Sequence, residues 1–163
     1  MTKIKQILSI GLLSLISTSA FAATATQNFQ VTATVEGSCK INSTGELSFG
    51  TYDPLSTTDK EATNTISITC SNGTSYSIGL DGGSTGDIDN RAMAGGTDNL
   101  AYQIYQDSSH STVWGNTPGT DTIDGTASSS SDSIDLTGYG VIPAEQDVAA
   151  DDYSDTITAT VTY

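Results

Sequence analysis

The segment at residues 29–35 is the feature that most constrains how this chain folds. Its sequence, Phe-Gln-Val-Thr-Ala-Thr-Val, places an apolar side chain at every odd position and a polar one at every even position. Because side chains alternate between the two faces of a β-strand, this period of two predicts a strand with one face to bury. No tight turn joins it to a hairpin partner. A free amphipathic strand of this kind is suited to completing the sheet of a neighbouring subunit.

The first 22 residues have the organisation of a secretory signal peptide. Lys3 and Lys5 precede an apolar run over residues 7–16, and a small-residue site, Ala20-Phe21-Ala22, follows it. The run is too short to anchor the chain stably in a bilayer. We therefore expect cleavage after Ala22 and no membrane insertion of the mature chain, residues 23–163.

The mature chain is strongly acidic. It keeps three basic residues, Lys40, Lys60 and Arg91, against 19 acidic ones, for a net charge of −16. Such a surface repels nucleic acid and anionic lipid, since both require clustered Lys and Arg to neutralise phosphate. We therefore expect no nucleic-acid partner, and we interpret the charge as a source of solubility outside the cell.

Two cysteines, Cys39 and Cys70, remain in a chain bound for an oxidising compartment. An even count of two permits one intramolecular bridge, and the sequence predicts that this disulfide forms. Two cysteines and a single histidine cannot build a zinc site. The sequence predicts neither a metal nor another cofactor.

The rest of the mature chain has the pattern of an all-β domain. Period-two runs bounded by Gly, Asn, Asp and Ser recur, and helical periodicity is nearly absent. This pattern predicts an immunoglobulin-like antiparallel β-sandwich. Strands are expected over residues 39–41, 46–50, 65–70, 75–81, 100–107, 112–115, 133–141 (broken near Gly138 and Gly140) and 153–163, with loops over 81–98 and 116–131. Asp155 is the exception on an otherwise apolar face of the last strand.

Three other motifs have both a functional and a simpler structural interpretation. Gly82-Gly83-Ser84-Thr85-Gly86 fits the G-x-S-x-G pattern of hydrolases, but it lies in a glycine-rich loop and His110 is the single histidine, so we interpret it as a chance match. An acidic loop contains oxygen ligands of the kind that calcium binds, but their spacing does not match an EF-hand. We therefore favour a solvated loop over a calcium site. Its candidate ligands are Asp87, Asp89, Asn90 and Asp98.

Three aromatic residues, Trp114, Tyr102 and Tyr105, are candidates for a sugar-binding platform, although most aromatics in a small sandwich belong to its core.

The order and spacing of several motifs resemble the spore coat protein U domain family, which includes pilin subunits assembled by the archaic chaperone–usher pathway. The resemblance covers about 130 residues and is most specific at the end of the chain. The matching motifs are Phe29-x-Val31-x-Ala33-x-Val35 leading to Cys39, Phe49-Gly50-x-Tyr52-Asp53-Pro54, Ile66-x-Ile68-x-Cys70, Leu80-Asp81-Gly82-Gly83 with Arg91 beyond, Ala101-Tyr102-x-Ile104-Tyr105-x-Asp107, and Tyr153-x-Asp155-Thr156-Ile157-x-Ala159-x-Val161-x-Tyr163.

The resemblance implies a sandwich, residues 36–163, that is incomplete because its last strand is missing. A hydrophobic groove and an unpaired edge would then be exposed. Residues 23–35 would be the N-terminal donor strand, which fills the groove of a neighbour. By position, the donor face is Phe29, Val31, Ala33 and Val35, and the edge of the acceptor groove is Ile157, Ala159, Val161 and Tyr163.

The implied partners are neighbouring pilin subunits, a periplasmic chaperone that lends a strand, and an outer-membrane usher. The sequence hypothesis is therefore a structural, non-enzymatic subunit of a surface pilus, exported through the periplasm and supporting adhesion or biofilm formation. Two alternatives remain open at this point. One is a self-associating spore or cell coat protein, and the other is a carbohydrate-binding adhesin module.

Overall fold

A computed structural model describes residues 21–163. All but the last two residues of the predicted signal peptide therefore lie outside the described residues. No helix in the described part is both long and apolar enough to cross a membrane. The chain divides after Thr34 into two units.

The described part of the first unit, residues 21–34, is exposed throughout and carries no strand. Phe29 and Val31 are 85% and 83% exposed, and Val35, the first residue of the second unit, is 90% exposed. The expected strand at 29–35 is thus not formed in the single chain, because a strand requires a hydrogen-bonding partner. Pairing with another subunit stays a prediction.

The second unit is built from nine strands within the described residues. Their bounds are β1 Cys39–Thr44, β2 Lys60–Cys70, β3 Ser75–Leu80, β4 Ala92–Gly95, β5 Asp98–Ala101, β6 Gln103–Tyr105, β7 Ile123–Thr126, β8 Ile134–Ile142 and β9 Ala159–Thr162. A short 3₁₀ turn, Gly83–Thr85, lies between β3 and β4.

The strands form antiparallel sheets that do not close. One sheet has the order β1-β2-β8-β6, the second has the order β7-β3-β9, and β4 and β5 form a separate hairpin. The longest ladder joins β2 to β8, from Lys60 opposite Ile142 to Ile68 opposite Ile134. The all-β, antiparallel and incomplete fold expected from the sequence is confirmed.

The predicted disulfide is also confirmed. Cys39 and Cys70 are bonded, and they lie directly opposite one another in the β1–β2 ladder. The bond therefore ties the edge strand β1 to β2, its neighbour in the sheet.

The core lies between the two larger sheets. Trp114 is completely buried, and its indole Nε1 donates to the carbonyl of Ile78 at 2.8 Å. Tyr102 is also buried. The sugar-binding platform is therefore not assembled, because two of its three candidate rings belong to the core.

Arg91 is a buried cation at the centre of this unit, with 1% exposure. Its guanidinium donates to the carbonyls of Asp81 (2.7 Å) and Trp114 (2.7 Å), and to Oε1 of Gln103 at 2.6 Å. Such bonds are necessary because a buried charge without partners costs several kcal/mol. Burial lowers the pKa of Arg91, while nearby Tyr102 and carboxylates oppose that shift. Arg91 thus joins three chain segments.

The expected break in β8 is wrong, since the ladder with β2 continues through Gly138 and Gly140. These glycines are required by close packing. A Cβ on Gly138 would lie 2.4 Å from Oδ1 of Asn64, and one on Gly140 would lie 2.8 Å from side-chain carbons of Leu47 and Phe49.

Other boundaries also differ from the expectation. The expected loop over 116–131 contains β7, and residues 46–50 and 112–115 form no continuous strand. The expected strand over 100–107 divides at Tyr102, whose amide donates to the carbonyl of Arg91 at 3.0 Å. Only residues 159–162 of the expected final strand belong to a strand ladder, and Ser154 forms an isolated bridge to Ala94.

Candidate functional site: an open groove beside two edge strands

Two edge strands, β1 and β9, border the same side of the sandwich. β1 is the outermost strand of the four-stranded sheet, and β9 is the outermost strand of the three-stranded sheet. The two strands approach one another. Beyond their contact, the segments that follow β1 and precede β9 separate and leave a groove of about 800 Å³.

The groove is apolar at its floor. Its deepest residues belong to the buried core, and half-buried apolar side chains form its walls. The floor comprises Ile66, Leu80, Leu100, Tyr102, Ile104 and Ile142, and the walls include Leu47, Met93, Val148, Tyr153, Ile157 and Ala159. A concave groove of this volume with an apolar floor has the size and lining of many ligand-binding clefts.

The wall around Ile157 and Ala159 presents outward-facing backbone groups to the groove. In an antiparallel ladder, the backbone of alternate residues points toward the same neighbour. The carbonyl of Thr158 accepts from the amide of Asp81 at 3.1 Å, and Thr160 and Thr162 stand opposite Gly79 and Ser77 of β3. The even residues therefore face β3. The N–H and C=O groups of the odd residues consequently point to the open edge.

The opposite border, β1, is interrupted by a bulge. The register with β2 shifts between Ile41 and Ser43, where Asn42 has no opposite residue. Before the bulge, the amide of Ser71 donates to the carbonyl of Ser38; after it, the amide of Gly45 donates to the carbonyl of Thr65. The backbone groups that face outward therefore change from odd-numbered to even-numbered residues at Asn42.

Asp155 holds the β9 wall to the groove floor. Its carboxylate accepts from the hydroxyl of Tyr102 at 2.6 Å and from the backbone amides of Ser84 and Thr156, each at 2.8 Å. Burial, followed by this hydrogen bond to Asp155, raises the pKa of Tyr102, so the phenol stays protonated. Asp155, the polar exception on the apolar face of the predicted last strand, therefore faces inward and anchors this wall.

Asp81 supplies a second polar anchor to the same wall. Its Oδ1 accepts from the amide of Thr158 at 2.9 Å and from the amide of Gly83 at 3.1 Å. Burial alone would raise the pKa of Asp81, but these hydrogen bonds and nearby Arg91 outweigh it, and the pKa lies below its usual value. No role for the Asp81 carboxylate was predicted from the sequence.

The four residues expected at the acceptor edge occupy different positions. Ile157 and Ala159 line the groove. Val161 is half-buried in β9, and Tyr163 is 61% exposed and lines a second cavity. Only the first two residues are therefore brought to the groove itself.

The alternative sites from the sequence are not assembled. The hydroxyl of Ser84 donates to the carbonyl of Ala92 at 3.2 Å, whereas His110 lies beside Glu61, with Nδ1 3.9 Å from Oε1. The carboxylate of Asp87 accepts from the amide of Asp89 and from the side chain of Asn90, which closes its own turn. Within residues 21–163, no three Asp, Glu, His or Cys side chains form a candidate metal cluster.

Comparison with known proteins places these observations in a family. Residues 25–160 match the family model of the Spore Coat Protein U domain. Protein U of Myxococcus xanthus is 36% identical over 169 aligned positions, which cover 88% of each chain.

A solved structure has a similar fold. It is the CsuC–CsuE chaperone–tip adhesion subunit pre-assembly complex from the archaic chaperone–usher Csu pili of Acinetobacter baumannii, with a TM-score of 0.57 and 23% sequence identity. The match covers 80% of the present chain and 40% of the matched chain. At this identity, the similarity concerns the fold.

Proposed function

Since this chain belongs to the Spore Coat Protein U domain family, we propose that it is a structural, non-enzymatic pilus subunit that polymerises by donating its N-terminal strand to a neighbour. The observation that carries this proposal is the apolar groove beside the unpaired edge of β9. The exposed odd residues of segment 29–35 supply the matching apolar face.

The energetic balance of this exchange depends on how ordered the groove already is. Burying Phe29, Val31 and Val35 contributes about 5–9 kcal/mol, taking about 1.5–3 kcal/mol for each side chain. Each new backbone hydrogen bond adds about 0.5–1.5 kcal/mol. Ordering the free segment costs about 1–2 kcal/mol per residue. A pre-formed groove favours binding, because ordering costs then fall mainly on the donor.

The donor strand is proposed to run antiparallel to β9. All sheets of the second unit are antiparallel, and this direction continues the same ladder geometry. The backbone groups of Ile157 and Ala159 would then pair with the donor. The last donor residue, Val35, would then lie toward the start of the segment that precedes β9.

An exposed groove and edge are liabilities in free solution, because they attract other unpaired strands. A periplasmic chaperone is the proposed temporary occupant, and an outer-membrane usher is proposed to direct the exchange for the next subunit. The completed fibre would lie at the cell surface, where it would support adhesion or biofilm formation. The likeness to a chaperone-bound pilus subunit is consistent with these partners.

A self-associating coat protein is the second candidate function. The observation that favours it is the similarity to Protein U and to the spore coat family. Strand exchange would also suit such a coat, so the two candidates differ in the form of the assembly. Electron microscopy of the secreted material distinguishes separate fibres from a continuous layer.

The test compares the mature chain, residues 23–163, with a rearranged chain. The rearranged chain contains residues 36–163, with residues 24–35 attached behind Tyr163 through a flexible linker. We expect it to be monomeric and to melt well above the unassembled mature chain, because its groove is filled from within. A mature chain that is already a stable monomer, with no gain on rearrangement, would overturn the proposal.

Matched substitutions in the rearranged chain test the face of the donor. Val31→Asp places a charge on the proposed buried face and should remove most of the gain in Tm. Thr32→Asp introduces the same charge on the opposite face and should retain it. Equal effects of both substitutions would contradict burial of the odd face.

A further inference from the structure

We propose that Asp155 sets the register in which the donor strand of the next copy is seated, because Asp155 admits only a small side chain opposite it. This inference rests on the proposed strand exchange and deepens it, since exchange alone does not specify which donor residue meets which acceptor residue. The proposed register pairs Phe29 with Ala159, Val31 with Ile157, Ala33 with Asp155, and Val35 with Tyr153.

The backbone of the segment before β9 limits the choice of register to steps of two residues. The amide and the carbonyl of Ser154 pair with Ala94, and the carbonyl of Thr158 accepts from the amide of Asp81. The backbone groups of the odd residues over 153–159 therefore point to the open edge. A donor whose odd side chains enter the groove must place them opposite these odd residues, because a shift by one would turn its apolar face outward.

Asp155 is the polar position on the inward side of this edge. Its carboxylate and its partner Tyr102 both line the groove, and the carboxylate accepts from the Tyr102 hydroxyl and from the amides of Ser84 and Thr156. A branched apolar side chain opposite it would cover the carboxylate without offering a donor, which costs free energy. Ala33 is the smallest residue of the donor face and covers the least of it.

A shift of the donor by two residues toward the start of this segment is unfavourable for the same reason. It would place Val31 opposite Asp155 and Val35 opposite Asp151, so two branched apolar side chains would face carboxylates. It would also place the polar Gln27 opposite Ala159, which lines the groove.

A shift by two residues in the other direction is limited by the end of the groove. It would place Phe29 opposite Val161 and Val35 opposite Asp155. Ala159 lines the groove, whereas Val161 lies beyond it and packs against the core. The largest donor side chain would therefore have no cavity to enter.

The proposed register satisfies all four inward positions. Phe29 meets Ala159, so the largest donor residue faces the smallest apolar residue of the wall. Facing large and small side chains fill the space between two strands without voids or overlap. The remaining apolar pairs are Val31 with Ile157 and Val35 with Tyr153.

Disulfide trapping between copies of the mature chain tests the register. Even-numbered residues of the two strands would form non-hydrogen-bonded pairs, whose Cα atoms lie about 4.5 Å apart, a separation that a disulfide can span. The proposed register places Thr32 opposite Thr156, whereas the two shifted registers place it opposite Ser154 or Thr158. These three acceptor residues are all exposed and form a matched set.

Chains with Thr32→Cys are mixed before assembly with chains that carry Ser154→Cys, Thr156→Cys or Thr158→Cys. Thr117→Cys, at an exposed position outside both strands, is the control for random collision. After oxidation with glutathione disulfide, mass spectrometry without reduction quantifies the joined peptides.

We expect the disulfide from residue 32 to residue 156 to be several-fold more abundant than those to residues 154 and 158, with residue 117 at background. A predominant disulfide to residue 154 or 158 would overturn the register and leave the proposed function intact. Polymers that form none of the three would overturn pairing of the donor along β9, and with it both proposals. Failure of the unsubstituted mature chain to polymerise would also overturn both.

An exchange of two donor residues tests whether Asp155 is the cause. Val31→Ala combined with Ala33→Val keeps the composition of the donor face and moves its smallest residue to position 31. The strand should then shift so that position 31 lies opposite Asp155, and the main disulfide from residue 32 should move from residue 156 to residue 154. An unchanged disulfide to residue 156 would overturn the role of Asp155.

Discussion

The two borders of the groove are held by different kinds of interaction. β1 is joined to β2 by a disulfide within a ladder of five residue pairs. β9 has four pairs with β3, and the segment before it is held by side chains, principally Asp81 and Asp155. One border is therefore covalently fixed, whereas the other depends on hydrogen bonds that can be removed one at a time. Under the proposed strand exchange, the second border would adjust to each incoming strand while the first keeps its place.

The largest expected effect comes from removing the covalent border. Replacing both Cys39 and Cys70 with Ala should lower the free energy of unfolding by about 4 kcal/mol, because the bridge closes a loop with a sequence separation of 31. Urea unfolding of the rearranged chain measures this loss. Hydrogen exchange should accelerate in β1 before β9; uniform acceleration would contradict the separate roles of the two borders.

The next effect concerns the anchor at Asp155. Asp155→Ala removes the acceptor for the Tyr102 hydroxyl and for two backbone amides, so we expect a loss of about 1–3 kcal/mol in unfolding free energy. Tyr102→Phe removes one of these bonds and should cost about 1 kcal/mol. The double variant should cost less than the sum of the two, because the residues share a hydrogen bond. Strict additivity would show that the anchor does not act through Tyr102.

A smaller effect, dependent on pH, is expected at Asp81. Its pKa in the folded chain is below the unfolded value of 3.8, so its stabilising contribution is complete above that value and is lost as the pH falls through the folded pKa. Asp81→Asn should therefore weaken the acid-induced loss of stability, measured by urea unfolding across about pH 5 to 2. Asp89→Asn, at an exposed position of the same loop, serves as the control for the loss of one negative charge.

The smallest expected effect is a change in the hydrogen exchange of single amides, and it requires no substitution. The amides of Ile157 and Ala159 point to the open edge and should exchange rapidly with solvent, whereas the amide of Thr160 is protected by β3. Filling the groove in the rearranged chain should slow exchange at the first two amides and change Thr160 little. Protection of all three before the groove is filled would show that the edge is already closed.

The fold class and the disulfide were predictable from the sequence, because alternation of apolar residues and an even cysteine count depend on local pattern. Strand boundaries were less predictable. β7 contains one strongly apolar residue, Ile123, and forms because β3 supplies a ladder partner over residues 75–78. Likewise, Gly138 and Gly140 suggest a break by propensity, but the close approach of Asn64 and Phe49 requires them inside a continuous strand.

The candidate site was only partly predictable from the sequence. The family resemblance placed Ile157 and Ala159 at the acceptor edge, and both residues line the groove. The alternating pattern also marked Asp155 as an exception, and such an exception on an inward face is the signal that a buried polar partner exists. Its partner, Tyr102, lies 53 residues away in the sequence and could not be identified without the fold.

The bulge at Asn42 affects which edge strand of the molecule can pair with a strand of another chain. Along β9, matching backbone groups recur at every second residue, so an incoming strand finds an uninterrupted template. Along β1, the spacing of outward-facing groups changes at Asn42, and a regular strand that matches one half is out of step with the other. Of these two edges, the regular one along β9 is therefore better suited to pairing with an incoming strand than the bulged one along β1.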